Sequence, residues 1–346
     1  MMYALQLNEF GLPSNLKYVE VKAPQITSPY QVIVKVIAAG VNPIEWKIRR
    51  GNVSLVNFLL KFPAILGNDF SGIIYDKGDK VTEFDIGDEV FGKTQNPFSG
   101  LGTYAQYTLV NTKNDGIIKK PSSITHQEAA GFGIAGLTAW TGLVSIGDLK
   151  VDEEAKDIQQ KVLVIGASGG VGTYAVQIAK HVNNAHVTAI CSGENAELVK
   201  KLGADRVIDY TQQDFGEVLK KEKESFDLVL DCIGGDTYYS KSIPILKLKG
   251  NFVTAVGPDA YGENIRIVDI MKIGMITLGR KVFGVRNYKV IVGLTWRDLP
   301  KIVTYLDKRK IVTVIGHEFD LKDGVKAHEL SESHRVVGKI ILNCPN

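Results

Sequence analysis

Gly166, Gly169 and Gly172 fall at a three-residue spacing between an apolar run, residues 162–165, and a helical pattern, residues 173–180. This arrangement constrains the fold more than anything else in the chain. A short continuous apolar run bounded by glycine reads as a buried parallel strand. A tight turn must then open a helix, which makes the unit a strand–turn–helix. Glycine permits the turn, lets backbone approach a pyrophosphate, and lets helix and strand pack closely. The helix start adds free N–H groups and the positive end of its dipole. The residues placed on a dinucleotide are therefore Gly166, Ser168, Gly169, Gly170, Val171 and Gly172. The alternative is an ordinary strand-to-helix turn with no ligand.

The next strand pattern, residues 186–191, ends about 20 residues past the last glycine, where NAD enzymes place an acid on the ribose 2′-hydroxyl. Here the sequence is Cys191-Ser192-Gly193. No carboxylate stands there to repel a 2′-phosphate, and the Ser192 hydroxyl donates a hydrogen bond to one. The expected cofactor is NADPH. Lys200, Lys201 and Arg206 follow as candidate cations, although each taken singly reads better as part of a solvated face. Tyr210 ends the next strand and either covers the adenosine or is an edge aromatic.

Strand patterns at 162–165, 186–191, 206–209, 226–231 and 251–256 alternate with helical stretches, the signature of a doubly wound parallel sheet. Residues before about 120 read instead as short strands with turn signals. The clean period-two alternation of 103–110 is one example. Thr125 and Glu128 form a capping box at a helix start. The expected organisation is a β-rich domain over 1–125, a dinucleotide-binding domain over 126–285, and a segment 286–346 that returns to the first domain. With 346 residues, two cores are affordable in length.

Forty-one basic residues against 38 acidic ones give a net charge of +3, which offers no case for nucleic-acid binding. No apolar run is long enough to span a bilayer. Cys191, Cys232 and Cys344 lack metal or disulfide spacing and read as buried free thiols. The start of the chain runs straight into a strand pattern without a signal or transit composition. The cytoplasm is the expected compartment, with a removed organellar leader as the alternative.

Three further segments carry a family resemblance: residues 40–51 (GVNPIEWKIRRG), 62–72 (FPAILGNDFSG) and 84–90 (FDIGDEV). With Gly136-Leu-Thr-Ala-Trp140, residues 202–210 and the ending Gly338-Lys-Ile-Ile, they resemble the medium-chain dehydrogenase/reductase superfamily, and within it the zinc-free quinone oxidoreductase branch. The similarity runs in order over nearly the whole chain. It implies a GroES-like domain, a Rossmann domain and a nicotinamide cleft between them, so the expected class is α/β. Relatives are often dimers through the edge of the Rossmann sheet, which implies a homodimer.

The departures from zinc alcohol dehydrogenases are equally informative. The zinc-ligand positions of those relatives correspond to Asn42, Asn68 and Ile134. An apolar side chain cannot ligate zinc, and amides are poor ligands beside thiolate and imidazole. No metal is expected. Without that Lewis acid, substrates already activated toward hydride are the expected ones: quinones and α,β-unsaturated carbonyls. The resemblance makes Lys47 and Asn42 the catalytic candidates. Lys47 falls where the zinc enzymes often carry a proton-relay histidine, and a solvated helix lysine is its alternative. Asn42, as the residue before Pro43, has a turn role as its alternative. Thr138, Phe283 and Val285 resemble residues near the nicotinamide, with an interior-helix threonine and a structural strand as alternatives, and Gly257 ends the strand pattern 251–256 on the side where ligands bind in this fold. The runner-up function is an NADPH-binding protein with little turnover that serves as a structural or interaction partner.

Overall fold

The computed structural model describes all residues except 54–56, 95–99, 156–157, 257–266, 285, 295 and 346. The chain divides into two compact units. One comprises Met1–Ala135, Trp296–Lys308 and Thr313–Asn346; the other comprises Gly136–Thr295 and Arg309–Val312.

The second unit is built on a six-stranded parallel sheet. Its order is Arg206–Asp209, His186–Cys191, Lys161–Ile165, Phe226–Asp231, Leu246–Thr254, Asn287–Val290. Numbered by sequence, that is 3-2-1-4-5-6, the doubly wound dinucleotide-binding order. The apolar run 162–165 is fully buried because both faces of its strand are covered. The strand Lys161–Ile165 pairs with His186–Cys191 on one side and Phe226–Asp231 on the other. The order reverses there, so the sheet's switch point opens at Gly166. Asp231, buried at the end of its strand, accepts hydrogen bonds from the Ile233 and Gly234 N–H groups, both at 2.9 Å, and so fixes the turn that follows.

The first unit is β-rich and GroES-like. A three-stranded sheet runs Leu16–Val21, Met2–Leu7, Ala64–Ile65. A seven-stranded sheet orders Ile315–Asp320, Lys339–Asn343, Gln31–Val41, Asp69–Lys77, Glu89–Lys93 and Gly116–Lys119, with Tyr107–Asn111 also paired to Gln31–Val41. The C-terminal strand Lys339–Asn343 pairs antiparallel with Gln31–Val41 and places Ile340 opposite Val41. Of the alternation read in 103–110, only the second half appears, as alternate burial along the strand Tyr107–Asn111; Thr103, Tyr104 and Ala105 precede that strand and are all buried. The helix His126–Trp140 begins at the expected capping box. The Thr125 N–H donates to Glu128 Oε2 at 2.9 Å, and the Glu128 N–H donates to Thr125 Oγ1 at 3.1 Å.

One element differs from expectation. Residues near Phe283 read as strand, but they close a helix, Ile267–Phe283. Intrinsic propensity does not account for it, because residues 267–281 include four Ile, one Val, one Thr and two Gly; a tertiary contact of Arg280 holds the helix instead. That side chain reaches Asp236 at 2.5 Å and lies over the Tyr239 and Tyr288 rings.

Candidate functional site

Candidate residues stand in both units. In the second, Gly166 adopts φ +77°, and the Gly166 and Ala167 N–H groups both donate to the Ile190 carbonyl oxygen, at 3.1 and 3.0 Å. The turn is thereby tied to the neighbouring strand. Gly169 stands at the N-cap of the helix Gly170–His181. A Cβ on Gly172 would lie 2.1 Å from the Gly166 carbonyl oxygen and 2.6 Å from Ala167 Cα, so no side chain fits. The turn is only half-buried at Gly166 and from Ser168 to Val171. A helix's first N–H groups have no carbonyl one turn back, so those of Gly170, Val171 and Gly172 are aimed at whatever anion sits above them. A pyrophosphate fits this cradle.

Beyond the next strand, the Asn195 side-chain amide donates to Ser192 Oγ at 2.9 Å and to Ser168 Oγ at 3.4 Å. Asn195 links the glycine turn to the 2′-phosphate candidate Ser192 and went unread in sequence. Its signal is a short polar residue three positions after Ser192, at the start of a helical stretch. The candidate cations are differently engaged. Lys200 Nζ pairs with Glu197 at 2.9 Å and Arg206 with Glu222 at 2.5 Å. The Asp209 carboxylate accepts from the Thr211 N–H and hydroxyl and lies close to Gly193, where a Cβ would meet Asp209 Oδ2 at 2.4 Å. Tyr210 is exposed at the end of its strand, and Thr138 is buried in the helix His126–Trp140. Phe283 is exposed at its helix end. Gly257 and Val285 lie outside the described residues.

In the first unit, Asn42 caps the helix Pro43–Arg50, which carries Glu45 and Lys47. The Asn42 N–H donates to Glu45 Oε2 at 2.6 Å. The Asn42 side-chain amide donates to Asp69 Oδ2 at 2.9 Å and to Glu45 Oε1 at 3.4 Å. The Asn42 side-chain oxygen, Oδ1, accepts from Lys339 Nζ at 2.6 Å. Lys339 also donates to the Val41 carbonyl oxygen at 3.0 Å and lies 3.9 Å from Asp69 Oδ2. The remaining Asp69 oxygen accepts from the Ile134 N–H at 2.8 Å. Gly133 lets that helix approach, since a Cβ there would stand 2.2 Å from Asp69 Oδ1. Asn42, Glu45, Asp69 and Lys339 are all buried.

This network gathers two carboxylates around the Lys339 ammonium, away from water, with the charge of Lys93 also acting on Asp69. Burial, reinforced by the Asp69 charge, pushes the Glu45 carboxyl up to about 8. Burial raises Asp69 as well, opposed by Lys339 and by its hydrogen bonds, and it lowers Lys339. The raised Glu45 carboxyl therefore holds its proton at neutral pH more readily than a solvated one. Lys47, half-buried on the same helix, has its ammonium pulled below the usual lysine range by burial.

The three positions matched to zinc ligands do converge. Asn42 and the Ile134 N–H both bind Asp69, and Asn68 is its chain neighbour, with its side-chain amide on the Thr94 carbonyl at 3.3 Å. Two amides and an isoleucine with an ammonium in their midst do not fit zinc, which wants thiolate, imidazole or free carboxylate. Among the described residues, no three His, Cys, Asp or Glu side chains are grouped to hold a metal ion. Glu45, Asp69 and Lys339 were not read as site residues. Their signals were the three-residue spacing from Asn42 to Glu45 and charged residues inside apolar strands.

A GroES-like unit together with a doubly wound unit bearing a dinucleotide turn defines a class: a two-unit pyridine-nucleotide oxidoreductase. Comparison with known proteins agrees. Residues 28–122 match the alcohol dehydrogenase GroES-like domain, and residues 202–342 match a zinc-binding dehydrogenase model. The chain is 34% identical to the mouse mitochondrial NAD(P)H oxidoreductase RTN4IP1, covering 99% of this chain and 89% of that one. It is 32% identical to the Arabidopsis thaliana chloroplast envelope quinone oxidoreductase homolog, covering 99% and 98%. The solved quinone oxidoreductase of Coxiella burnetii superposes with a TM-score of 0.81 at 29% identity, over 99% of both chains. The chain belongs to the medium-chain dehydrogenase/reductase superfamily, in its quinone oxidoreductase branch.

Proposed function

We propose that the chain is an NADPH-dependent reductase of quinones or α,β-unsaturated carbonyls that works without a catalytic metal. The observation that carries this reading is that the positions matched to zinc ligands, Asn42, Asn68 and Ile134, offer two amides and an isoleucine, with Asn42 and the Ile134 N–H engaged on Asp69 and the Asn68 amide on the Thr94 carbonyl. Reduction of a plain ketone leans on a Lewis acid. A conjugated acceptor needs less help, because its developing negative charge is delocalised onto an oxygen that placed donors stabilise.

The turn Gly166–Gly172 and the N–H groups of the helix behind it would hold the pyrophosphate. Ser192, with Asn195 and Ser168 beside it, would donate to the 2′-phosphate, and the exposed Tyr210 would cover the adenosine. When bound, the reduced nicotinamide supplies a hydride. Lys47 is the proton-holding group of this reading, because an ammonium of lowered pKa gives up a proton more readily to an enolate or quinol oxygen. The Asn42 amide hydrogens point at Asp69 and Glu45, so Asn42 orients the helix that carries Lys47 rather than offering a free donor. Quinone plus hydride and one proton gives the hydroquinone; the enone gives the saturated carbonyl with the same balance.

The sheet-edge strand Asn287–Val290 is the face through which a homodimer would close. The mitochondrial and chloroplast names of the relatives favour an organelle over the cytoplasm. Steady-state NADPH oxidation against a panel of quinones, enones and plain ketones, with and without a chelator, tests the reading. Turnover confined to quinones and enones and indifferent to chelation supports it. Absence of turnover leaves the binding-protein alternative, and chelator-sensitive ketone reduction overturns it.

A further inference from the structure

Two lysines act on Asp69, and they are unlike. Lys339 is buried and donates inward, to the Val41 carbonyl and to Asn42 Oδ1. Lys93 closes the strand Glu89–Lys93 and is only half-buried. It stands directly opposite Asp69 in an antiparallel pair, so the two side chains leave the sheet on the same face. One of its three N–H groups donates to the Thr94 carbonyl at 3.1 Å; among the described residues the other two have no acceptor. Burial pulls this ammonium below the usual lysine range, opposed by the charges of Asp69, Asp115 and Glu45.

The Thr94 carbonyl is shared. The Asn68 side-chain amide donates to the same oxygen at 3.3 Å, and the Thr94 N–H donates back to the Asn68 carbonyl at 2.9 Å. Lys93 Nζ and the Asn68 side chain are thereby brought together. Asn68 is 3% exposed, yet among the described residues its Oδ1 has no hydrogen-bond partner. Buried acceptors are nearly always satisfied, so this one marks a place for a donor. Spare N–H groups on a cation beside an unused acceptor fit one kind of group: an oxygen that takes up negative charge and ends as a hydroxyl. A carboxylate or phosphate would use Lys93 and set its own charge against Asn68 Oδ1.

We propose that Lys93 and Asn68 form the oxyanion site of the reaction. Lys93 donates to the carbonyl oxygen of the conjugated acceptor as it takes up charge, and Asn68 Oδ1 accepts the O–H formed when the proton arrives. The proposal rests on the reductase function proposed above. Delivery of hydride to the β-carbon of an enone forms a C–H bond there and oxidises the dinucleotide. The C=C pair becomes the new double bond of an enolate, and the carbonyl π pair moves onto oxygen. A proton, from Lys47 in that scheme, completes the enol, which returns to the saturated carbonyl; a quinone contains the same conjugated unit and ends as the hydroquinone. Lys93 supplies a compact positive charge where the electron pair collects. Lys339, sealed among its own acceptors, does not reach a substrate.

The probe is 4-nitrophenol, because its phenolate mimics an enolate oxygen and absorbs visible light. Added to the full chain without dinucleotide, it should bind as the phenolate and raise the visible absorbance near the phenol's own pKa. Lys93→Met should weaken that binding by about tenfold or more, and Lys93→Arg, which keeps the charge and the donors, should retain it. Asn68→Leu should spare the phenolate and weaken the neutral phenol severalfold at acidic pH. With quinones and enones, Lys93→Met should lower kcat by about 100-fold and leave the NADPH dissociation constant unchanged, which also shows that the variant is folded. A wild type that binds the phenolate but reduces nothing would sink the reductase function and leave the oxyanion site standing. No phenolate binding by the wild type, phenolate binding or kcat that Lys93→Met leaves intact, or a neutral phenol held equally by Asn68→Leu would overturn the proposal.

Discussion

Lys339→Met removes the ammonium that donates to Asn42 Oδ1 inside a buried cluster that holds two carboxylates. The Asn42 side-chain Oδ1 then loses a 2.6 Å donor, the Val41 backbone carbonyl loses a 3.0 Å donor, and Asp69 loses an ammonium 3.9 Å away. Hydrogen bonds to charged groups are worth about 1.5–3 kcal/mol each, and removing one partner of a buried pair costs about 3–5 kcal/mol. The strand supplying Lys339 is paired into the sheet at Ile340–Asn343, so the backbone cannot shift to relieve the loss. A destabilisation of about 3–5 kcal/mol is therefore expected at neutral pH, read by equilibrium urea unfolding. The double variant Asp69→Asn/Lys339→Met removes both charges and keeps an acceptor for the Ile134 N–H. It should recover at least about half of the loss, because removing both members of a buried pair is far cheaper than removing one. A single variant within about 0.5 kcal/mol of wild type would refute the reasoning, as would a double variant less stable than the single.

Glu45→Gln tests the raised carboxyl. A carboxyl whose folded pKa is about 8 binds its proton more tightly folded than unfolded, so it costs stability progressively as pH rises from about 5 to 8. Wild type should therefore lose stability relative to Glu45→Gln across that window, at up to about 1.4 kcal/mol per pH unit; parallel pH profiles would contradict it. Ser192→Asp puts a carboxylate beside the 2′-phosphate position and should narrow or reverse a preference for NADPH over NADH, by about tenfold or more in the ratio of dissociation constants. Gly172→Val places a side chain against the Gly166 carbonyl and should abolish binding of either nucleotide in fluorescence titration; retained affinity would mean the cradle lies elsewhere.

The parallel sheet was legible because its central strands are covered on both faces and so read as unbroken apolar runs, as in 162–165. The dinucleotide turn was legible because each glycine answers a local geometric demand, such as φ +77° at Gly166. The helix over 267–283 was hidden by a β-branched end, and the contact that fixes Arg280 comes from Asp236, 44 residues away. The cluster around Asp69 is the least legible part. Asn42 and Lys339 meet across 297 residues, and a lone charge in an apolar strand is indistinguishable in sequence from an outward-facing one. The cap at Thr125 was read because a cap is a three-residue relation; Asn42 stands in the same relation to Glu45 but was read as a turn residue before Pro43 rather than as a cap. What the second cap shares its carboxylate with is set by the sheet, and no local pattern encodes it.

The central claim is that a phosphorylated dinucleotide is held by the glycine turn and recognised at Ser192. Calorimetric titration of the purified chain with NADPH and with NADH tests it most directly. The account predicts one site per chain and NADPH tighter by about tenfold or more. Equal affinities, a tighter NADH, or heat from neither nucleotide would contradict it.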